Sequence, residues 1–458
     1  MIVPRSRLLF WVAVVVLPFS LLGSLEPAAT AASLVAVGGL LALAAVDAAG
    51  ARRGLDGLGV ELPAVARMSR DRKAKLEVRI RNARQKPQTV RLALALPREI
   101  ESEEEDARVA LPAGSEWSRF AWSCRPTRRG NYRLESARIE TRSPLGFWDA
   151  RKTVPARSEL RVYPNLLGER RDLAAVFLHR SAAGLHAHRQ IGKGREFEKL
   201  REYSAGDSFD EIHWKTTAKR GRPITKVFQL ERTQEIYVVI DASRLSGREI
   251  ARRAPAESSR VEPAPGSQAP ESILERFITA ALVLGLAAEQ QGDLFGLLTF
   301  SNKVGNFVRA RNGKTHYSAC RDALYLLQPQ VVTPDYDEVC TFIRLRLRRR
   351  ALLVFLTSLD DPVVAESFVR NLDLIRRQHL VLVNMLQAPG VAPVFSNPDV
   401  TTVDDLYERL GGHLRWQSLR ELEKVLQRRG VRFSLVNNER LSADLVSQYL
   451  DVKRRQAL

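Results

Sequence analysis

The sequence predicts an α/β protein in three layers of organisation. An N-terminal transmembrane helical hairpin comes first, then a small antiparallel β-sandwich, then a doubly wound parallel sheet. Three observations predict it. Two long uncharged stretches open the chain. Alternating apolar and polar residues follow. The C-terminal half then switches between short apolar runs and longer helical patterns.

Leu8 to Leu25 holds no charged residue. As a helix it reaches about 27 Å, enough to cross a hydrocarbon core. Pro27 to Val46 is a second uncharged stretch, richer in Ala and Gly. Ser24 to Pro27 is a very short turn between them. Arg5 and Arg7 precede the first stretch, and Arg52 and Arg53 follow the second. The excess of positive charge on the cytoplasmic side then places both ends of the hairpin there. The expected location is the cell inner membrane, crossed twice, with the bulk of the chain cytoplasmic. A cleaved signal peptide is the rival, with Ala29 to Ala32 as cleavage residues; the second apolar stretch counts against it.

Residues 55–165 read as strands. Leu76 to Asn82 and Thr89 to Leu96 alternate with period two, which marks one buried face. Ser118 to Cys124, Asn131 to Thr141 and Glu159 to Tyr163 are further strands. Pro97, Gly114, Pro126 and Gly130 punctuate them. Residues 166–234 are a polar connector, and 235–458 the α/β domain. There Glu235 to Asp241, Asp293 to Val304, Ala351 to Leu359, Leu380 to Leu386 and Val431 to Val436 are strands. Helical patterns lie between and after them, which gives the doubly wound order. Residues 250–272, rich in Pro, Ala and Ser, form a mobile insertion by composition.

The chain has 458 residues and a formal net charge of +19, from 71 basic and 52 acidic side chains. That excess favours anionic neighbours. The basic residues are spread along the chain, and neither zinc-finger spacing nor an RNA-binding aromatic signature occurs, so nucleic acid is not expected as a partner. A basic surface beside an anionic leaflet explains the charge more simply. The three cysteines, Cys124, Cys320 and Cys340, form no CxxC pair, which suits a reducing compartment.

The segment Gly192-Lys-Gly194 lacks the phosphate-loop spacing. His179, His186, His188 and His213 lack HExxH spacing. No Gly-x-Ser-x-Gly elbow occurs.

One segment is more specific. It carries Arg201-Glu202-Tyr203, Gly206-Asp207, Ile212-His213-Trp214 with Lys215, and Ala218-Lys219-Arg220. Ile212 and Trp214 are apolar anchors in a charged setting. Arg201, Lys215, Lys219 and Arg220 can face Glu202, Asp207 and Asp210, as in an ordered salt-bridged clamp. The pattern resembles the signature of domain-of-unknown-function family 58, which precedes a von Willebrand factor A-like domain. Arg128-Arg-Gly130 and Pro144-Leu-Gly-Phe147 also resemble that family's preceding β-domain. The resemblance implies a non-catalytic scaffold or adaptor whose partner is a MoxR-type AAA+ ATPase.

The resemblance also implies a metal site at the strand ends, where hard oxygens suit Mg²⁺. Asp241 and Ser243 match its first element. Leu245 stands where a second Ser belongs, and Ser246 is one step late. Thr333 supplies the loop threonine. Thr357-Ser358 lacks the expected carboxylate, with Asp360 nearby. The other reading is that Asp241 and Ser243 only satisfy backbone donors. A metal-dependent enzyme at the same crevice is the alternative function.

Overall fold

The structure is a computed structural model. It describes residues 1–167, 169, 191–204, 209–229, 234–250, 271–394 and 402–455. It divides into two compact units, Met1–Asn165 and Leu166–Leu458.

The first unit opens with a short strand, β1 (Ile2–Pro4). Two helices follow, α1 (Ser6–Leu25) and α2 (Pro27–Gly54), both long and apolar enough to cross a membrane. Leu9, Leu17, Leu21, Leu34 and Val35 lie exposed on them. Such a surface is costly in water and suits hydrocarbon. Glu26 leaves helical geometry at φ −125° and Pro27 starts the second helix, which makes the turn tight. The arms approach where a Cβ on Gly23 would lie 3.1 Å from that of Ser33.

Two sheets then pack face to face. One contains β2 (Leu58–Glu61), β4 (Ala74–Asn82), β6 (Ile100–Ser102) and β8 (Trp117–Pro126) in the order β2-β4-β8-β6. The other contains β1, β3 (Val65–Ser69), β5 (Gln88–Leu94), β7 (Ala107–Leu111), β9 (Gly130–Arg142) and β10 (Trp148–Tyr163). The shared core joins Leu76, Val78 and Ile80 of one sheet to Leu92, Ile139 and Leu160 of the other. Period-two alternation thus points inward as read from the sequence.

One expectation is corrected here: the sandwich is not purely antiparallel. β3 runs parallel to β10, from Glu159↔Val65 to Tyr163↔Ser69. The cause is the length of β10. Its register against β9 breaks between Pro155 and Ser158, where a proline lacks the N–H a ladder needs. The first half of β10 pairs with β1 and the second half with β3. The Ser158 hydroxyl donates to the Pro63 carbonyl at 2.7 Å, which fixes the crossover.

In the second unit, β11 (Ile191–Glu202) and β12 (Ile224–Gln229) form a two-stranded antiparallel sheet. Between them lies the short helix α3 (Trp214–Arg220). The main sheet begins with β13 (Glu235–Asp241). The short pair β14 (Glu249–Ile250) and β15 (Glu271–Ser272) closes the base of the insertion; its body, residues 251–270, lies outside the described residues, as do His179, His186 and His188. Helix α4 (Ile273–Gln290) leads to β16 (Leu294–Phe300) and β17 (Val304–Arg311). Then come α5 (Lys314–Leu324), α6 (Tyr336–Arg346), β18 (Leu352–Leu356) and α7 (Pro362–Leu372). Last are β19 (Leu380–Leu386), α8 (Val403–Arg428), β20 (Arg432–Val436) and α9 (Leu441–Arg454).

The sheet order is β17-β16-β13-β18-β19-β20. Helices cover both faces. Ile236, Val238 and Ile240 pack with Phe277 of α4 and Tyr449 of α9; Tyr237, Val239 and Phe355 pack with Phe368 of α7 and Leu426 of α8. Successive residues of one strand enter opposite cores, so the run had to be apolar throughout.

The parallel sheet needs a correction as well, because it is mixed. β13, β16, β18, β19 and β20 are parallel, whereas β17 is antiparallel to β16. The stretch Asp293 to Val304, read as one strand, is instead β16 and the turn into a hairpin. Gly296 permits it. A Cβ there would meet the Tyr237 ring at 2.5 Å and Ala310 N at 2.7 Å. The Ala310 amide donates to the Tyr237 hydroxyl at 3.2 Å through that gap. Gly296→Ala is therefore expected to destabilise the domain by about 2–3 kcal/mol through overpacking, read as a lower urea midpoint with an unchanged slope.

His379, just before β19, is buried, and burial holds its imidazole below its ordinary value of 6.5. Protonation thus favours the unfolded chain. Stability falls as pH drops below the ordinary imidazole value towards the lower folded one, by at most about 1.4 kcal/mol per pH unit. His379→Leu is expected to flatten that stretch of a stability–pH curve.

Candidate functional site at the strand ends

β13 lies inside the sheet between two parallel neighbours, β16 and β18, and ligands of α/β sheets sit beyond such carboxyl ends. Asp241 ends that strand with no exposed surface. One carboxylate oxygen accepts from the Ser243 amide at 2.8 Å, and the other accepts from the Thr357 hydroxyl at 2.7 Å. Thr357 follows β18, and its oxygen also meets the Tyr336 hydroxyl at 2.8 Å. Tyr336 begins α6 and is itself buried against Phe300 and Phe368. A chain of three buried side chains thus ties the ends of β13 and β18 to α6.

Burial pushes the Asp241 carboxyl above its ordinary range, while the hydroxyls of Thr357 and Ser243 and the amides of Ser243 and Ser358 oppose that rise. Tyr336 is pushed well up by burial, with the nearby Asp241 charge adding to it. Ser243 is fully buried, and its hydroxyl makes no hydrogen bond of normal geometry, although it lies close enough to favour the ionised carboxylate. The Ser246 hydroxyl donates to the Ser243 carbonyl at 2.8 Å, which shapes the turn.

The structure brings Asp241, Ser243 and Thr357 together. The loop bearing Thr333 is tied to the same turn, because the Arg244 amide donates to the Val332 carbonyl at 3.0 Å. Thr333 itself is exposed. Asp360 pairs with Arg248 at 2.9 Å, and Asp361 caps α7 through the Val363 amide at 3.0 Å. Asp361 also lies 3.8 Å from Arg244. Two arginine–aspartate pairs thus bridge the loops after β13 and β18. Among the described residues, no three His, Cys, Asp or Glu side chains gather into a metal-holding group. Tyr336 escaped sequence reading. Its only local signal is Asp335 before it, which caps α6 by accepting from the Asp337 and Glu338 amides.

The signature residues sit on the β11–β12 hairpin and α3. Glu202 pairs with Arg222 at 2.5 Å, rather than with Lys215, Lys219 or Arg220. Arg201 lies opposite Thr225 in the hairpin ladder. The Tyr203 ring stacks on Phe209 with centroids 6.0 Å apart. Ile212 is buried and bridges to Thr225. The His213 ring caps α3 by accepting from the Thr216 amide at 3.1 Å. Trp214 and Lys215 are exposed. Gly206 and Asp207 lie outside the described residues.

A further site was not anticipated. Asp47, near the end of α2, is buried. It accepts from the Ser143 hydroxyl at 2.6 Å, the Leu145 amide at 2.8 Å and the Phe147 amide at 3.1 Å. The Trp148 indole donates to the Ala44 carbonyl at 2.8 Å. Arg5 pairs with Asp149 at 3.2 Å, and its amide donates to the Phe147 carbonyl at 2.9 Å. Gly146 takes φ 78°, and a Cβ there would lie 3.4 Å from the Arg7 guanidinium. The Pro144-Leu-Gly-Phe147 turn is thus the clasp between both hairpin helices and the sandwich. In sequence it showed only as a resemblance to the family's β-domain, with no partner for Asp47 in view.

These features define a class: an α/β domain with a sealed polar knot at its strand ends, preceded in the chain by two apolar helices and a sandwich. Residues 199–253 and 264–390 match the model of the family described as Protein of unknown function DUF58. The match covers the signature and the sheet from β13 to β19, a smaller share of the chain than the resemblance read from sequence. The uncharacterized protein YeaD of Bacillus subtilis is 25% identical over 156 residues, 32% of this chain and 37% of its own length. The chain therefore matches little more than a third of that curated relative. Among solved structures, an aerotolerance-related membrane protein from Bacteroides fragilis is 14% identical, with a TM-score of 0.28 over 47% of this chain and 97% of its own. An uncharacterized membrane spanning protein from Vibrio fischeri is 14% identical, with a TM-score of 0.18 over 48% of this chain and 98% of its own. Scores this low carry no functional argument.

Proposed function

We propose that this chain is a membrane-anchored, non-catalytic scaffold or adaptor. Its hairpin sits in the cell inner membrane and keeps the rest of the chain cytoplasmic. Its C-terminal domain, von Willebrand factor A-like in this reading, docks a protein partner, for which the family resemblance suggests a MoxR-type AAA+ ATPase.

One observation carries the reading. At the strand ends, Asp241, Thr357 and Tyr336 direct their hydrogen bonds at one another with no exposed surface. A general base or nucleophile must reach its substrate, and this carboxylate does not. Retention of the hairpin has separate support. β1 precedes α1 and pairs with β10, so cleavage after α1 would remove a strand from a folded sheet.

The residues fit Mg²⁺ poorly. That ion wants near-octahedral oxygen ligands. Both Asp241 oxygens already accept hydrogen bonds, Asp360 is paired with Arg248, and among the described residues no three His, Cys, Asp or Glu side chains gather there. The buried Ser243 hydroxyl is the one observation that favours the metal-dependent alternative. A thermal melt separates the two readings. Millimolar Mg²⁺ or EDTA is expected to leave the melting temperature unchanged, whereas ligand-linked stabilisation in Mg²⁺ would support the metal site.

The partner is tested by cross-linking in native membranes, purification of the tagged full chain and mass spectrometry. An AAA+ ATPase is the expected product. Its absence from repeated cross-linked samples would overturn the partner assignment.

A further inference from the structure

The segment between β11 and β12 sends one apolar side chain inward and two aromatic ones outward. Ile212 is 6% exposed, whereas Trp214 is 67% and Phe209 72% exposed. Phe209 stacks on Tyr203, and the His213 cap fixes the first turn of α3, on which Trp214 stands.

Charge lies beside these rings. Lys215, Lys219 and Arg220 are exposed on α3, and Trp214–Arg220 contains no acidic residue. Among the described residues these three cations make no ion pair, since Glu202 is taken by Arg222. The adjoining turn carries two acids, Asp210, which is exposed, and Glu211. The helix itself is therefore aromatic and basic together, with the acids confined to the turn before it.

We propose that the exposed side of α3 that carries Trp214, Lys215 and Lys219, with the exposed Phe209 of the preceding turn, seats on the anionic headgroup region of the bilayer that holds the hairpin. The inference rests on the membrane reading of that hairpin and extends it to the second unit. Tryptophan favours the headgroup level, where its ring is half in hydrocarbon and its N–H stays wet. Clustered lysine and arginine add attraction to anionic lipid within a Debye length. Tethering decides between a lipid and a protein occupant. The chain carries two helices of bilayer-spanning length, so the leaflet is present at high effective concentration without a separate encounter.

The test uses the full chain reconstituted into vesicles of phosphatidylcholine alone or mixed with phosphatidylserine, each containing bromine-labelled acyl chains. Tryptophan quenching is compared for wild type, Trp214→Phe and Trp11→Phe. Trp11 lies in α1 and reports insertion of the hairpin independently. The expected result is quenching of the Trp214 component in phosphatidylserine vesicles. That quenching should be lost in phosphatidylcholine alone, in high salt, and in the double variant Lys215→Glu/Lys219→Glu. Quenching of the Trp11 component should persist in both lipids. Trp11 quenched with Trp214 untouched in phosphatidylserine would overturn the proposal, spare the membrane reading, and leave this face to an acidic protein. Neither component quenched would overturn both.

Discussion

Asp47→Ala is expected to lower the melting temperature of the first unit by about 10 °C, a loss of about 4 kcal/mol in a domain of this size. The substitution strands three donors at once: the Ser143 hydroxyl and the Leu145 and Phe147 amides. Buried donors without an acceptor lose their water and gain nothing in return. The second consequence is mechanical. The turn from Ser143 to Phe147 would loosen its hold on α2, leaving the Trp148–Ala44 hydrogen bond, Arg5 and β1 to join the sandwich to the hairpin. Ser143→Ala removes only one of the three bonds and should cost about 1–2 kcal/mol. The double variant should cost much less than the sum, because the two side chains share a bond. Thermal melts of the detergent-purified full chain, with limited proteolysis near residue 55, read both consequences. An unchanged melt for Asp47→Ala would remove the clasp from the picture.

The second large effect is expected at the strand ends. Asp241→Ala should cost about 3 kcal/mol by leaving the Thr357 hydroxyl and the Ser243 amide unpaired in a fully buried place. Asp241→Asn should cost far less. Burial already disfavours the ionised carboxyl, and an amide keeps one acceptor while Thr357 can turn to receive a hydrogen bond. Thr357→Val should fall between them, since it breaks the links to both Asp241 and Tyr336. Chemical unfolding of the three variants gives the order directly. If Ala and Asn cost the same, the hydrogen-bond chain is not what holds this site. Because Asp241→Asn preserves the fold in this ranking, it is also the variant with which to ask whether charge at the strand ends matters for partner capture.

The fold was legible where burial is periodic. The run Ile236 to Ile240 serves two cores, so its composition alone marks a central strand. Leu76, Val78 and Ile80 serve one core and alternate with charged residues. What escaped depends on partners distant in sequence. Ile2–Pro4 is too short to show a period, and only its pairing with Trp148–Ala150 makes it a strand. The reversal into β17 rests on the absent side chain of Gly296, which reads as an ordinary glycine until Tyr237 and Ala310 are in place. Of the candidate site, Asp241 and Ser243 were named through the family resemblance, while Thr357 drew notice only as the place where a carboxylate was lacking. Tyr336 and Asp47 were not visible. Both sit in helical patterns where an aromatic or a terminal acid is unremarkable, and their roles come from contacts 21 and about 100 residues away.

Sidedness is the claim on which docking to a cytoplasmic ATPase depends. Protease added to intact spheroplasts, and separately to inside-out vesicles, measures it with a C-terminal tag on the full chain. Digestion of the tagged half only in the inside-out vesicles is the expected result. Loss of the tag from intact spheroplasts would put the α/β domain outside the cell and contradict the reading.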